Sequence, residues 1–462
     1  MSRPAAPLVA AGFLLVSWMA QGQTTSAGLP LSLQELERRA LENNPTIAQA
    51  SAEVAAAKGR AVQGGLLPNP RVGYSFEEVP FRSSVPNRGK QGFFIEQAIP
   101  LGGKLRLARR VFEKEVDEGE RNLEAQRGRV LNSVRALYYQ ALAAARRVDV
   151  RERLAQLSSE AVAVSSQLFN TGAADRPDLL EAEVEDQRAR IDLVAARNDQ
   201  YTTWIRLGTM IGSPTLKPQT LAGSLDEPLP ELQRERLQET LLRESPQLKS
   251  VRARLERDEA ALKSARRQSF PDLFLRGGEM HNRESADGTT GKPIGWEALG
   301  EAGISIPLFN RNQGNIASAE ANVRRSRAEL ARFELQLGQL FSSVYEDYLT
   351  SIRTADVYRT EILPRAERAY ELYLMRFKEM SAAYPQVLIA QRTLIQSTES
   401  YLAALERVTR SAVALRNSLL MDGLEAPPKI GEGGMPSLMQ SGEIPGMVQG
   451  GETPGSIRTP EN

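Results

Sequence analysis

Apolar and polar residues alternate one by one in two regions of the chain and step by threes and fours through much longer ones. Over 71–79, Val72, Tyr74 and Phe76 fall on one side of an extended chain, while Arg71, Ser75 and Glu77 fall on the other. Phe93, Ile95 and Ile99 alternate with Gly92, Glu96 and Ala98, and Trp296, Ala298, Ala302, Ile304 and Ile306 alternate with Glu297, Glu301 and Ser305. Leu273 to Arg276 repeats the pattern more weakly. These dyads predict two hairpins, with strands over 71–99 and 272–306. Each run is about nine to eleven residues, the length a tilted strand needs to cross a bilayer. The connecting stretches, Phe81 to Lys90 and His281 to Lys292, are polar and glycine-rich and read as exposed loops.

Lys104 to Phe169 holds no proline, and as one helix it would be a rod of about 100 Å. Within it Leu154, Leu157, Ala161, Val164 and Leu168 step by three and four, the spacing of a coiled-coil seam. Leu330, Phe333, Leu337, Leu340 and Val344 do the same further on. Residues 171–176 form a turn before Pro177, which suits an early helical position, and the returning helix runs to about Gly212. The second rod turns over 379–384 and returns from Pro385 to about Gly423. Pro364 lies inside the outgoing rod and should kink or interrupt it.

The second half thus repeats the first. Pro45 and Pro70 recur as Pro246 and Pro271, and Ile99-Pro100-Leu101 as Ile306-Pro307-Leu308. Phe169, Pro177, Leu180 and Ala182 recur as Phe377, Pro385, Leu388 and Ala390. Such ordered landmarks imply one elongated body of two similar repeats, 23–222 and 223–425, each a short helix, a hairpin and a long helical hairpin (about 104–212 and 314–423). The fold class that follows is mainly α with a small β part. Four strands cannot close a barrel, and an open sheet edge in lipid leaves backbone groups unpaired, so a membrane reading requires several copies to pool their strands.

Composition sets the address. Residues 1–22 read as a signal peptide: Arg3, an apolar run from Pro7 to Met19 too short to span a bilayer, and Ala20-Gln21-Gly22 as a small-x-small cleavage site. No later window reaches the length of a transmembrane helix. The chain has no cysteine, hence no disulfide and no lipidated cysteine at a mature start. Its formal net charge of +1 offers no global field to nucleic acid. The tail, 426–462, is rich in Gly, Pro and Ser and reads as disordered.

Four stretches carry a resemblance: residues 31–45 (Leu31 to Pro45), Gly65-Leu-Leu-Pro-Asn-Pro70, Ile99-Pro-Leu-Gly-Gly-Lys104 and Ile306-Pro-Leu-Phe-Asn-Arg-Asn-Gln-Gly314, with Gly172 to Glu183 fitting a helical turn. Over about 31–422 the chain resembles the outer-membrane efflux proteins, TolC-like, closest to the heavy-metal (cobalt-zinc-cadmium) type. The resemblance implies a homotrimer whose strands form one barrel in outer-membrane lipid, continued by an α-helical periplasmic tunnel. It also implies docking on a periplasmic adaptor and, through it, on a proton-driven inner-membrane pump. On this analogy the second helical hairpin is the inner one, so Arg376, Glu379 and Tyr384 could ring the periplasmic constriction. Gly172, Asp175 and Arg176 of the first turn would contact the adaptor or form a helix N-terminus with Asp175 near its positive dipole end, and Met380, a further adaptor-contact or hairpin-tip candidate, stands where the family often has glycine.

Chemistry adds little beyond a conduit. The only histidine is His281, so within one chain a closed soft-metal site would have to rest on carboxylates, which suit harder cations. Gly102-Gly103-Lys104 lacks the spacing of a phosphate loop and reads as a strand end and helix start. No nucleophile or acid–base constellation appears, and neither an enzyme nor a cofactor is expected. The competing readings are a channel for drugs or other organic toxicants and a periplasmic coiled-coil adaptor. The adaptor is disfavoured because hairpins and strand pairs occur twice in register.

Overall fold

The computed structural model describes residues 30–78, 89–172, 174–225, 232–285, 292–379, 381 and 384–430. The expected signal peptide, the expected tail from 431 on, the centres of both strand-connecting loops and Met380 lie outside the described residues.

Each repeat opens with a pair of helices broken at a capped proline. In the first, α1 (Leu33–Asn43) ends where Asn44 caps α2 (Pro45–Gln63), its side chain accepting from the Thr46 N–H at 2.9 Å. In the second, Ser245 separates α5 (Arg234–Glu244) from α6 (Pro246–Arg267) in the same way. Proline at the first helical turn forgoes only a donor that would lack an intrahelical acceptor anyway.

The hairpins β1 (Arg71–Glu77) with β2 (Lys90–Pro100), and β3 (Asp272–Ser285) with β4 (Pro293–Ser305), join into one antiparallel sheet in the order β1-β2-β3-β4. The seam between repeats is long: β2 and β3 pair from Lys90↔Asn282 to Pro100↔Asp272. This pairing revises the expected loop over 281–292. His281 stands opposite Gln91 on β2 and Trp296 on β4, and the strand continues to Ser285. The register carried by β2 overrides the polar composition of that stretch.

From the sheet the chain enters two long helices through left-handed residues. Gly103, at φ 74°, precedes α3 (Lys104–Asn170), and Asn312, at φ 63°, precedes α7 (Gln313–Val357). The first return helix is α4 (Arg176–Met210). The second outgoing rod does not stop at Pro364. A π-helical turn over Tyr358–Ile362 widens the backbone first, and α8 (Leu363–Lys378) resumes with the proline in its first turn. Absorbing the missing N–H in a widened turn keeps the rod continuous. The second return helix is α9 (Tyr384–Arg416), ending short of the expected Gly423.

Among the described residues, three apolar clusters hold the helices together. Near the helix pairs, Leu36, Ala40, Val130, Val134, Trp204 and Leu207 pack together, and Phe341, Tyr345, Tyr348, Leu402 and Val408 form the counterpart in the second repeat. At the far end Ala182 joins Tyr370, Phe377, Tyr384 and Val387, with Leu157, Ala161, Val164 and Leu168 of the first expected seam packed against them. The second expected seam drifts: Leu337 is buried, but Leu340 is 47% exposed and Phe341 takes the inward position.

Candidate channel lining and helical tip

The sheet has two chemically different faces, set by the period of two along each strand. One carries Val72, Tyr74, Phe76, Phe93, Ile95, Trp296 and Ile304, all at least 42% exposed. Tyr74 packs edge-on against Phe76 and Phe93, and His281 against Trp296, giving a band of aromatic rings toward the loop end of the sheet. An extended apolar surface left bare by the chain's own core marks contact with lipid or another chain.

The opposite face is charged and paired. Arg71, Glu96, Arg276 and Glu301 stand directly opposite one another across all four strands. Arg71 Nη1 lies 3.6 Å from Glu96 Oε1, and Arg276 Nη1 lies 3.9 Å from Glu301 Oε2. The Arg276 guanidinium stacks 4.1 Å over the Phe94 ring, whose own strand neighbours in register are Gly73 and Gly278. A Cβ at Gly73 would collide with the Phe94 ring, and one at Gly278 with the Phe93 carbonyl oxygen, so Gly73 makes room for the ring and Gly278 for the neighbouring backbone. Toward the loop end Lys90 Nζ lies 3.9 Å from Glu297 Oε2, which also accepts from Asn282 Nδ2 at 3.1 Å on its other oxygen. At the helix end buried Lys104 reaches Asp272 at 2.8 Å. Reading the strands singly shows these charges but not the row, because register is a property of the assembled sheet.

At the tip, the structure separates the expected residues. Gly172 adopts φ 74° with open space around its missing Cβ, and its N–H donates to the Phe169 carbonyl at 3.0 Å. Asp175 takes the N-cap position of α4 without a side-chain cap bond, and Arg176 begins the helix; both are exposed. Arg376 and Glu379 are exposed in the last turn and C-cap of α8. The Arg376 carbonyl accepts from the Ser381 N–H at 2.8 Å, which closes the turn. Tyr384 is a correction. It is 1% exposed, its ring 5.6 Å from that of Phe377, and burial pushes its phenol up to about 12. A side chain enclosed in its own chain's core holds the tip together and does not project into a constriction.

A further surface escaped the sequence reading. Leu180, Val184, Ile191, Val194, Tyr201 and Ile205 are all exposed on α4, spaced as positions of one heptad stripe. The signal was in the three-four stepping of 180–205, but only the structure shows that α3 packs against the other side of this helix and leaves the stripe bare. Among the described residues no helix is long and apolar enough to cross a membrane, and no group of three or more His, Cys, Asp or Glu side chains could hold a metal ion.

A sheet apolar on one face and ion-paired on the other, carried on helical hairpins far longer than a globular core would cover, defines a class of protein: an outer-membrane channel with a long helical extension. The chain belongs to the outer membrane efflux protein family, whose model matches residues 36–213 and 237–419. It is 25% identical over 390 residues to the cobalt-zinc-cadmium resistance protein CzcC of Cupriavidus metallidurans, covering 84% of this chain and 89% of the relative. It is 27% identical over 345 residues to the nickel-cobalt-cadmium resistance protein NccC of Alcaligenes xylosoxydans xylosoxydans, covering 72% of each. The fold matches the outer membrane protein VceC from Vibrio cholerae at a TM-score of 0.69 and 18% identity, covering 85% of this chain and 96% of that one. It matches CusC at 0.68 and 17%, covering 84% and 92%. The protein is therefore a channel component located in the outer membrane, and not an enzyme.

Proposed function

We propose that three copies of this chain pool their sheets into one closed barrel and their helices into one tube, which serves as the passive exit duct of a tripartite efflux system for heavy-metal cations. The observation that carries the proposal is the open sheet: β1 and β4 are edge strands, and the apolar face of the sheet is exposed. Backbone groups at a sheet edge cannot remain unpaired in hydrocarbon, so β4 of one copy must meet β1 of the next. The bare stripe on α4 supplies a matching apolar contact between the helical parts. Residues 1–22 act as the export signal, and 23–222 and 223–425 as the two repeats of the mature wall. The exposed first turn at Gly172, Asp175 and Arg176 meets a periplasmic adaptor, which links the tube to a proton-driven inner-membrane pump. Arg376 and Glu379 face the closed end of the tube.

The cargo follows from the resistance named for CzcC and NccC, both metal-resistance proteins. Deleting the gene in its host and challenging with cobalt, zinc, cadmium and a panel of organic toxicants tests this, alongside fractionation of the tagged protein. The expected result is an outer-membrane trimer in mild detergent and lost tolerance to the metals alone. A soluble periplasmic monomer overturns the channel, and sensitivity confined to organic compounds overturns the cargo.

A further inference from the structure

The charged face of the sheet bears on how a divalent cation crosses it. A duct for such ions faces a conflict. Carboxylates keep the lumen wet and favour cations, but two bare carboxylates converging in a narrow pore form a chelating site that holds the ion it should release. Glu96 on β2 and Glu301 on β4 are poised to make such a pair. Both lie on the same face in one register row, with only β3 between them. The residue that β3 places between them is Arg276, paired with Glu301 at 3.9 Å and opposite Glu96 in register.

Arg276 is also held in place. Its guanidinium carbon lies 4.1 Å from the centroid of the Phe94 ring, which is seated in the space left by Gly73. A cation against an aromatic face is stabilised without consuming the guanidinium's hydrogen-bonding edge. Three more carboxylate pairings on this face follow the same rule: Arg71 with Glu96, Lys90 with Glu297, and Lys104 with Asp272. The alternation Arg71–Glu96–Arg276–Glu301 has no net charge.

We infer that Arg276 is a selectivity-determining residue of the duct: lodged between Glu96 and Glu301, it blocks a divalent-cation site that these two carboxylates would otherwise form in the barrel lumen. This rests on the proposal that the charged face lines a closed trimeric barrel. The ion is then passed by a wall that stays polar but offers no paired ligands. Arg276→Gln removes the charge while keeping a polar, hydrogen-bonding side chain.

The test is equilibrium dialysis of zinc chloride against the full-length trimer in mild detergent. The wild type is expected to show no zinc binding that Glu301→Gln removes. Arg276→Gln should gain one zinc ion per subunit, bound at least about tenfold more tightly than any surface background, as expected when the positive charge between the two carboxylates is removed. Adding Glu96→Gln or Glu301→Gln to that variant should abolish the gain, and Arg276→Lys should not show it. Should Arg276→Gln fail to assemble, Arg276→Met, which keeps the apolar stem beside Phe94 without the charge, should give the same gain with the same dependence on Glu96 and Glu301. An assembled Arg276→Gln trimer with unchanged zinc binding overturns the inference, and so does a gain that survives loss of both carboxylates. A wild-type chain that never forms a trimer instead defeats the channel proposal on which the inference rests.

Discussion

Arg257 on α6 and Glu118 on α3 form an ion pair at 2.9 Å with both side chains buried, joining the long helix of the first repeat to the second. Arg257 also grips Asp258 at 3.0 Å, and Asp258 accepts from Ser326 on α7, so three helices meet at one guanidinium. Removing one partner of a buried pair strands the others in a low-dielectric site. Arg257→Ala is expected to destabilise the folded chain by about 3–5 kcal/mol. A large drop in the thermal midpoint of the purified protein, followed by circular dichroism, checks this; a midpoint within a degree or two of wild type contradicts it.

The same site carries a pH dependence. Burial raises the Glu118 carboxyl above its ordinary value of 4.5, opposed by the nearby charges of Arg257 and Arg254 and reinforced by Asp258 and Glu115. With a raised folded-state value, the folded chain binds this proton more tightly than the unfolded one. The resulting contribution to stability is full below pH 4.5 and is lost as pH rises through the elevated value. Glu118→Gln removes the titration. The slope of midpoint against pH just above 4.5 is therefore expected to be less negative, or more positive, in the variant than in wild type. Identical slopes would rule Glu118 out.

Tyr384 and Phe377 clasp the tip of the second hairpin. Tyr384→Ala leaves a cavity beneath the turn and is expected to destabilise the tip by about 3–5 kcal/mol, as for other buried aromatic truncations. Tyr384→Phe keeps the ring and should change little. Limited proteolysis at 379–384 reads the difference: rapid cleavage in the alanine variant alone is the expected pattern.

Ile191 and Val194 sit on the bare stripe of α4, at 68% and 57% exposure. Ile191→Asp combined with Val194→Asp should leave the helical content of the chain unchanged but place charge in the contact between copies. Size-exclusion chromatography with light scattering in mild detergent is expected to show trimers giving way to monomers. Trimers of undiminished stability would assign the stripe to a partner other than a second copy.

Arg376 and Glu379 end α8 in exposed positions, where three copies would bring three charges of each sign to the tube's end. Charge rings tune conductance and block. Arg376→Ala or Glu379→Ala should change single-channel conductance in planar bilayers, or its block by divalent cations. Unaltered behaviour in both would remove them from the gate.

The alternating strands, the rods and the duplication of the whole plan were all legible in the order of residues. Each is a local periodicity, and local periodicities are written directly along the chain: Val72, Tyr74 and Phe76 share a face whatever pairs with them. Pro364 shows where local rules stop. Proline forbids one hydrogen bond, but whether the rod breaks or absorbs the loss depends on neighbours that hold both ends in line, and the widened turn at 358–362 is the outcome. His281 lay in a stretch whose composition reads as loop, and β2 drew it into the sheet through Gln91. Tyr384 looked like a tip residue because it stands next to the turn; Phe377 and Ala182, brought together from distant segments, enclosed it. The row from Arg71 to Glu301 belongs wholly to tertiary structure. Which charge stands opposite which is fixed by strand register, and register is set only when residues some two hundred positions apart along the chain pair their backbones.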